Sequence, residues 1–211
     1  MHKIELFDCF CNTNFPNFNL TIEVCNRLQT FDNFIVIQNI LSMNKPLYQF
    51  FTKDHRRIEA LLDMACENAD SIQMNYYHQF RTGILKHIKM EEKILFPAAQ
   101  KANGGVPIPL AAKLRLDHGA ITSLMVLPPT SDVINVVRYI LDKHDLLEEE
   151  PGGMYDICEQ LTVDETEIII SQLETVTEVP VHPHNEAAYA LQAAKNALKR
   201  AGFDYDELKR L

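Results

Sequence analysis

Long apolar runs are missing from this 211-residue sequence: the strongest, Phe34 to Ile37 followed by Ile40-Leu41, falls far short of the roughly 20 residues a membrane span requires. Positive charge is also scarce. Twenty Lys and Arg stand against 29 Asp and Glu, for a net charge of −9, and no stretch gathers the basic residues into a patch that could neutralise phosphates. Neither a membrane nor nucleic acid is an expected partner. Five cysteines form an odd set with no C-x-x-C pair, which argues against a disulfide framework and for reduced thiols. The first residues carry Lys3, Glu5 and Asp8 and no continuous apolar region before a small-residue cleavage site, so a secretory signal is not expected. Together these absences predict a soluble, cytoplasmic protein. Gly-rich phosphate loops and G-x-S-x-G are absent as well, which removes the phosphate-binding and nucleophile-elbow enzyme classes.

What is present is an ordinary globular composition, 46% hydrophobic, in a chain long enough to bury one core. Residues 1–42 stand apart, with no alanine, no glycine and seven asparagines, and are read as an N-terminal extension of unclear structure. Two readings stand for them: an upstream extension before a native start at Met43, or a short helical or irregular segment packed on the bundle. From Pro46 the pattern is helical. Periodicity and stop signals predict helices over 45–68, 71–102, 109–127 and 131–150, with Ser71 and Ser131 or Asp132 as N-caps and Gly104-Gly105, Pro128-Pro129 and Pro151-Gly152-Gly153 as terminators. Short connections between four helices imply an all-α, antiparallel (up-down) four-helix bundle over 43–162. Residues 163–211 are read as additional short C-terminal helices packed on the bundle. The helical tail from about Tyr155 should hold two or three of them, broken at Val179-Pro-Val-His-Pro-His184.

Two copies of one spacing carry the chemistry: His87-x-x-x-Glu91 and His144-x-x-x-Glu148. Residues four apart on a helix lie one above the other, so each pair offers an imidazole and a carboxylate to one point. His87 and Glu91 share a stripe with Phe80, Ile84 and Leu95. His144 and Glu148 share one with Val133, Val137, Ile140 and Leu141. His55 falls in line with Phe51, Ile58 and Leu62, and His118 with Leu114, Ile121 and Met125. One histidine on an apolar face is ordinarily a core imidazole satisfied by a hydrogen bond. Four, with two carboxylates whose burial costs several kcal/mol each without compensation, point to metal. The candidate ligands are His55, His87, Glu91, His118, His144 and Glu148. Nitrogen and oxygen donors without thiolate select iron, manganese or zinc, and carboxylates shared between two ions favour iron or manganese over zinc. A di-iron centre with an oxo or hydroxo bridge would keep open positions. His78, His182, His184, Glu59, Glu92, Glu149 and Glu150 are read as surface or loop residues, and Tyr76 and Tyr77 as phenols on the ligand-bearing helix, about three turns from the centre.

The segments DHRRIEALLD, LKHIKMEEKILFPAA, LRLDHGAITSLM and LDKHDLLEEEPGGMYDICEQL resemble the bacterial hemerythrin-like proteins of the HHE cation-binding class. The resemblance spans Met43 onward and leaves out residues 1–42. It implies a non-haem di-iron centre with His55, His87, His118 and His144 as terminal ligands and Glu91 and Glu148 as bridges. The oxygen-carrying hemerythrins of marine worms have a further histidine where this chain has Thr122, so the resemblance is closer to di-iron proteins associated with iron-sulfur cluster repair. The cysteine-bearing N-terminal module of those proteins is not matched by Cys9-Asp-Cys11. Three functions follow. One is a protein that binds, senses, stores or scavenges O2, peroxide or NO. The second is an oxidoreductase or iron donor in oxidative or nitrosative stress. The third is a helical interaction module with structural ions. Nothing in the sequence sets an oligomeric state.

Overall fold

The structure, a computed structural model, describes residues 45–68 and 71–210. The readings of residues 1–42, of Met43 as a start and of Cys9 and Cys11 lie outside the described residues. Helix α1 runs Pro46–Ala65, with Pro46 in the first turn, where its missing N–H costs nothing. It stops short of Asn68 because the Gln73 amide donates to the Ala65 carbonyl at 2.8 Å and turns the chain. Helix α2 therefore spans Met74–Met90 with Gln73, not Ser71, at its N-cap.

The long second helix is not uniform. A π-helical turn covers Glu91–Leu95, and α3 continues over Phe96–Ala102. Pro97 is the local cause, since it has no amide to give the carbonyl four residues back and its ring crowds that carbonyl. The turn widens instead, and the Phe96 amide reaches the Glu91 carbonyl five residues back. Helix α4 spans Pro109–Leu124 and α5 Ser131–Glu149. The cap of α5 is Thr130, whose hydroxyl accepts from the Val133 amide at 3.3 Å. The tail holds four helices among the described residues: α6 Met154–Leu161, α7 Thr166–Glu174, α8 Ala188–Ala201 and α9 Tyr205–Leu208. No described helix is long and apolar enough to cross a membrane.

The interior consists of two apolar clusters. One gathers Ile58, Leu62, Phe80, Ile84, Ile121 and Val137, and the other Leu47, Phe51, Leu95, Phe96, Leu114 and Tyr155. The order in which each helix meets them fixes the topology. α1 and α4 run from the second cluster to the first, while α2 and α5 run from the first to the second, so neighbours alternate up and down. In every helix the histidine sits between the two clusters, and the all-helical bundle carries one polar layer across its middle. Helix α6 closes the second cluster with Met154, Tyr155 and Cys158. Helix α8 lays Ala190, Ala194, Leu198 and Ala201 into the first cluster along α4, anchored where the Asn185 amide donates to the Val126 carbonyl. Small residues permit that close approach.

The turn between α5 and α6 is tightly built. Gly152 adopts φ +82°, and a Cβ on Gly153 would lie 2.8 Å from the carbonyl oxygens of Leu147, Glu148 and Glu150. These are backbone atoms that cannot swing aside. Gly153→Ala should therefore destabilise the bundle by about 1–3 kcal/mol, seen as a lower denaturation midpoint in urea. An unchanged midpoint would show that the turn is looser than described.

Candidate metal centre

The six residues of the polar layer come from four helices and the π turn, and none is more than 4% exposed. Each carboxylate is split between two neighbours. Glu91 presents Oε1 to His87 Nε2 at 3.4 Å and Oε2 to His118 Nε2 at 3.1 Å. Glu148 presents Oε2 to His55 Nε2 at 3.4 Å and Oε1 to His144 Nε2 at 3.3 Å. Two sets of four donor atoms result, each within 4.8 Å: His55, His87, Glu91 and Glu148 on one side, His118, His144, Glu91 and Glu148 on the other. Both glutamates belong to both sets.

The histidines are aimed from behind. His55 Nδ1 meets Glu149 at 2.7 Å, His87 Nδ1 meets Asp54 at 2.9 Å and His118 Nδ1 meets Glu92 at 2.8 Å. Asp117 lies 3.7 Å from His144 Nδ1, beyond hydrogen-bonding distance, and that nitrogen and Asp117 Oδ2 are both buried without a partner. A carboxylate behind Nδ1 holds the proton there and turns the Nε2 lone pair inward, the arrangement by which outer groups orient metal-binding imidazoles. The four backing acids are each adjacent to a candidate ligand: Asp54-His55, Glu91-Glu92, Asp117-His118 and Glu148-Glu149. Each serves the histidine of a different helix. Glu92 and Glu149, read from the sequence as solvent-facing, are largely buried and do this work. The signal that could have found them was the recurrence of the acid beside the ligand.

Nitrogen and oxygen lone pairs facing one another need a cation or protons between them. His55 Nε2 and His87 Nε2 lie 2.9 Å apart, and Glu91 Oε2, Glu148 Oε1 and His118 Nε2 are buried without a hydrogen-bond partner. His118 Nε2 and Glu91 Oε2 are close but not aligned to bond with each other. Buried orphans of this kind are few in folded proteins. Three converging on one layer fit a bound cation.

Tyr155, which the sequence reading passed over in favour of Tyr76 and Tyr77, enters the first set. Its hydroxyl donates to Glu91 Oε1 at 2.7 Å or to Glu148 Oε2 at 2.9 Å, and lies 3.1 Å from His55 Nε2 and 3.2 Å from His87 Nε2. Tyr77 is buried in the first cluster instead, its phenol pushed up to about 12 by burial. His78 is exposed, as expected of its place on α2. His182 and His184 stand by Arg81, which donates to the His182 carbonyl at 2.9 Å and approaches His184 Nε2 at 3.4 Å, so neither joins the centre. Glu59 pairs with Arg56 at the surface. The Thr122 hydroxyl turns back to the His118 carbonyl at 2.7 Å and supplies no donor to the layer. A third set of acids, Asp145 and Glu149 beside His55, lies outside the layer, with Glu149 already held by Arg56. An open groove of about 970 Å³ includes Asp54, behind His87, among its lining residues and none of the six.

Residues 47–126 match the family model described as the hemerythrin HHE cation binding domain. The match takes in α1 to α4 and ends before α5, the helix of His144 and Glu148. No curated protein and no solved structure matches the chain.

Protonation offers a direct check on the layer. Burial opposes charge on His87, but Glu91 and Asp54 outweigh it and raise its pKa to about 9. Burial, reinforced by Glu91, pushes Glu148 well above the usual carboxylate range. His87 stabilises the metal-free fold fully below its ordinary pKa of 6.5 and loses that contribution as pH rises through about 9. Glu148 has the same sign, because the folded chain keeps a proton that the unfolded chain releases above 4.5. The thermal midpoint of metal-free protein should fall between pH 6.5 and pH 9, and His87→Gln should flatten the slope. A flat wild-type profile would contradict this electrostatic account.

Proposed function

The chain is a hemerythrin-like protein, and from that premise we propose that it holds two iron ions between His55, His87, His118 and His144, with Glu91 and Glu148 bridging them, and binds O2, peroxide or NO there. The observation that carries this reading is the division of each buried carboxylate between two sets of imidazole nitrogens. A single ion on one side would leave the imidazoles of the other side facing carboxylate oxygens with no cation between them. Thiolate is absent from both sets: Cys158 is buried in the second cluster with its thiol pushed far up by burial and by Glu91 and Glu148. Imidazole and carboxylate without sulfur suit iron, with manganese and zinc as the alternatives the same donors accept.

Iron in such a set supplies a redox-active Lewis acid with positions for a small ligand. The protein's own residues do the rest. Asp54, Glu92 and Glu149 keep three of the imidazoles turned inward, Asp117 stands behind the fourth, the two apolar clusters exclude water on either side, and the Thr122 side chain adds no further nitrogen. The function is then to sense, store or scavenge the diatomic ligand or peroxide.

Removing a bridge should differ from removing a backing acid. Glu91→Ala and Glu148→Ala should each lose most of the bound iron, Glu149→Gln should weaken binding by about 10–100-fold, and Glu150→Ala should leave it unchanged. Equal iron content in all four variants would contradict the assignment. Iron-loaded protein should also develop a new visible absorption with azide. A coordinatively saturated centre would not respond, and the ions would then be structural. Sustained consumption of peroxide with an added reductant would instead mark an oxidoreductase.

A further inference from the structure

The six-residue layer has an approximate two-fold repeat, and one residue breaks it. Asp54-His55 with His87-x-x-x-Glu91-Glu92 is matched by Asp117-His118 with His144-x-x-x-Glu148-Glu149. The outer acids stand behind the histidines by the same rule in both halves, three of them in hydrogen bonds and Asp117 at 3.7 Å from His144. Seven residues after Glu148 comes Tyr155, whereas seven after Glu91 comes Ala98. No phenol among the described residues stands against His118 and His144 as Tyr155 does against His55 and His87.

The placement of the Tyr155 oxygen is specific. It lies 2.7, 2.9, 3.1 and 3.2 Å from Glu91 Oε1, Glu148 Oε2, His55 Nε2 and His87 Nε2, the four donor atoms of one set. A phenol has one proton to donate, so it cannot satisfy four such neighbours by hydrogen bonding. The distances have another meaning. Donors about 2.1 Å from an octahedral ion are separated along each edge by √2 times that length, about 3 Å. The His55–His87, His55–Glu148 and His87–Glu91 edges are 2.9, 3.4 and 3.4 Å. An oxygen about 3 Å from all four donors holds the spacing of a fifth vertex.

We propose that Tyr155 is a fifth protein ligand to the ion held by His55 and His87, and that the ion held by His118 and His144 has no counterpart. This rests on the two-ion reading above. Ligation forms an oxygen–metal bond, releases the phenolic proton to solvent and moves no electron between protein and metal. The two positions are consequently unequal, with the more open one on the His118/His144 side. The ring is held for this purpose by stacking on Phe51, with centroids 5.0 Å apart. The tight Gly152-Gly153 turn returns the chain beneath Glu148 to deliver it.

The test is optical. Protein loaded with iron(II) and oxidised by ferricyanide should show a phenolate-to-iron(III) charge-transfer band with resonance-enhanced tyrosinate vibrations. Tyr155→Phe keeps the stacked ring and should lose both signals while retaining iron, whereas Tyr48→Phe and Tyr77→Phe should keep them. Ring-deuterated tyrosine in the wild-type protein should shift the same vibrations, a readout that does not depend on a variant folding. Wild-type protein with its full iron and no such band would overturn the proposal and leave the two-ion reading standing. A band that survives in Tyr155→Phe, or vibrations unmoved by deuteration, would also overturn it. Absence of bound iron in the wild type would overturn both.

Discussion

Two carboxylates buried between apolar clusters set the terms for the rest of this structure. Glu91 and Glu148 are fully buried, and each ionised carboxylate without compensation would cost several kcal/mol. The surroundings answer that cost in three layers. Four imidazoles face the carboxylates, three further acids hydrogen-bond imidazoles from behind with Asp117 standing behind the fourth, and a surface arginine neutralises at least one of those acids, as Arg56 does for Glu149. Charge alternates in sign from the middle of the bundle to its rim once cations occupy the centre. Without them, protons must take their place, which is why His87 and Glu148 are pushed upward together while Glu91, facing His87 and His118, is pushed down.

The bundle serves this layer by geometry. α2 and α5 run the same way, so their two H-x-x-x-E pairs bring histidine and glutamate to the same height, and the antiparallel α1 and α4 supply the facing histidines. The π turn at Glu91–Leu95 begins at the carboxylate of one of those pairs and places Leu95 and Phe96, consecutive residues, both in the second cluster. Widened turns of this kind recur at functional sites, where one extra residue re-aims a side chain. Here it places Glu92 beside His118, on the neighbouring helix.

The sequence made some of these features readable and hid others for definite reasons. The all-α bundle and its inward histidines follow from periodicity, because ligands share the stripe of Phe51, Ile84 or Val137, and that is a one-helix property. The pairing of Asp54 with His87, or Glu149 with His55, is not. It joins different helices, so an acid adjacent to a ligand looks solvent-facing on its own helical wheel. Tyr155 escaped for a similar reason, since a reversal at Gly152-Gly153 rather than helical spacing returns it to the centre. The tail resolved into four helices where two or three were expected, because α9 is a single turn held by the Asp204 side chain. Pro97 was visible, but a proline within a helical pattern does not announce whether the helix will end, kink or widen.

The central claim is that this layer holds two ions. Elemental analysis of protein made in iron-supplemented medium tests it most directly. The account predicts about two irons per chain, in keeping with two sets of donors that share both carboxylates. No metal, or a single zinc, would contradict it and leave the six buried residues as a polar core stabilised by protons.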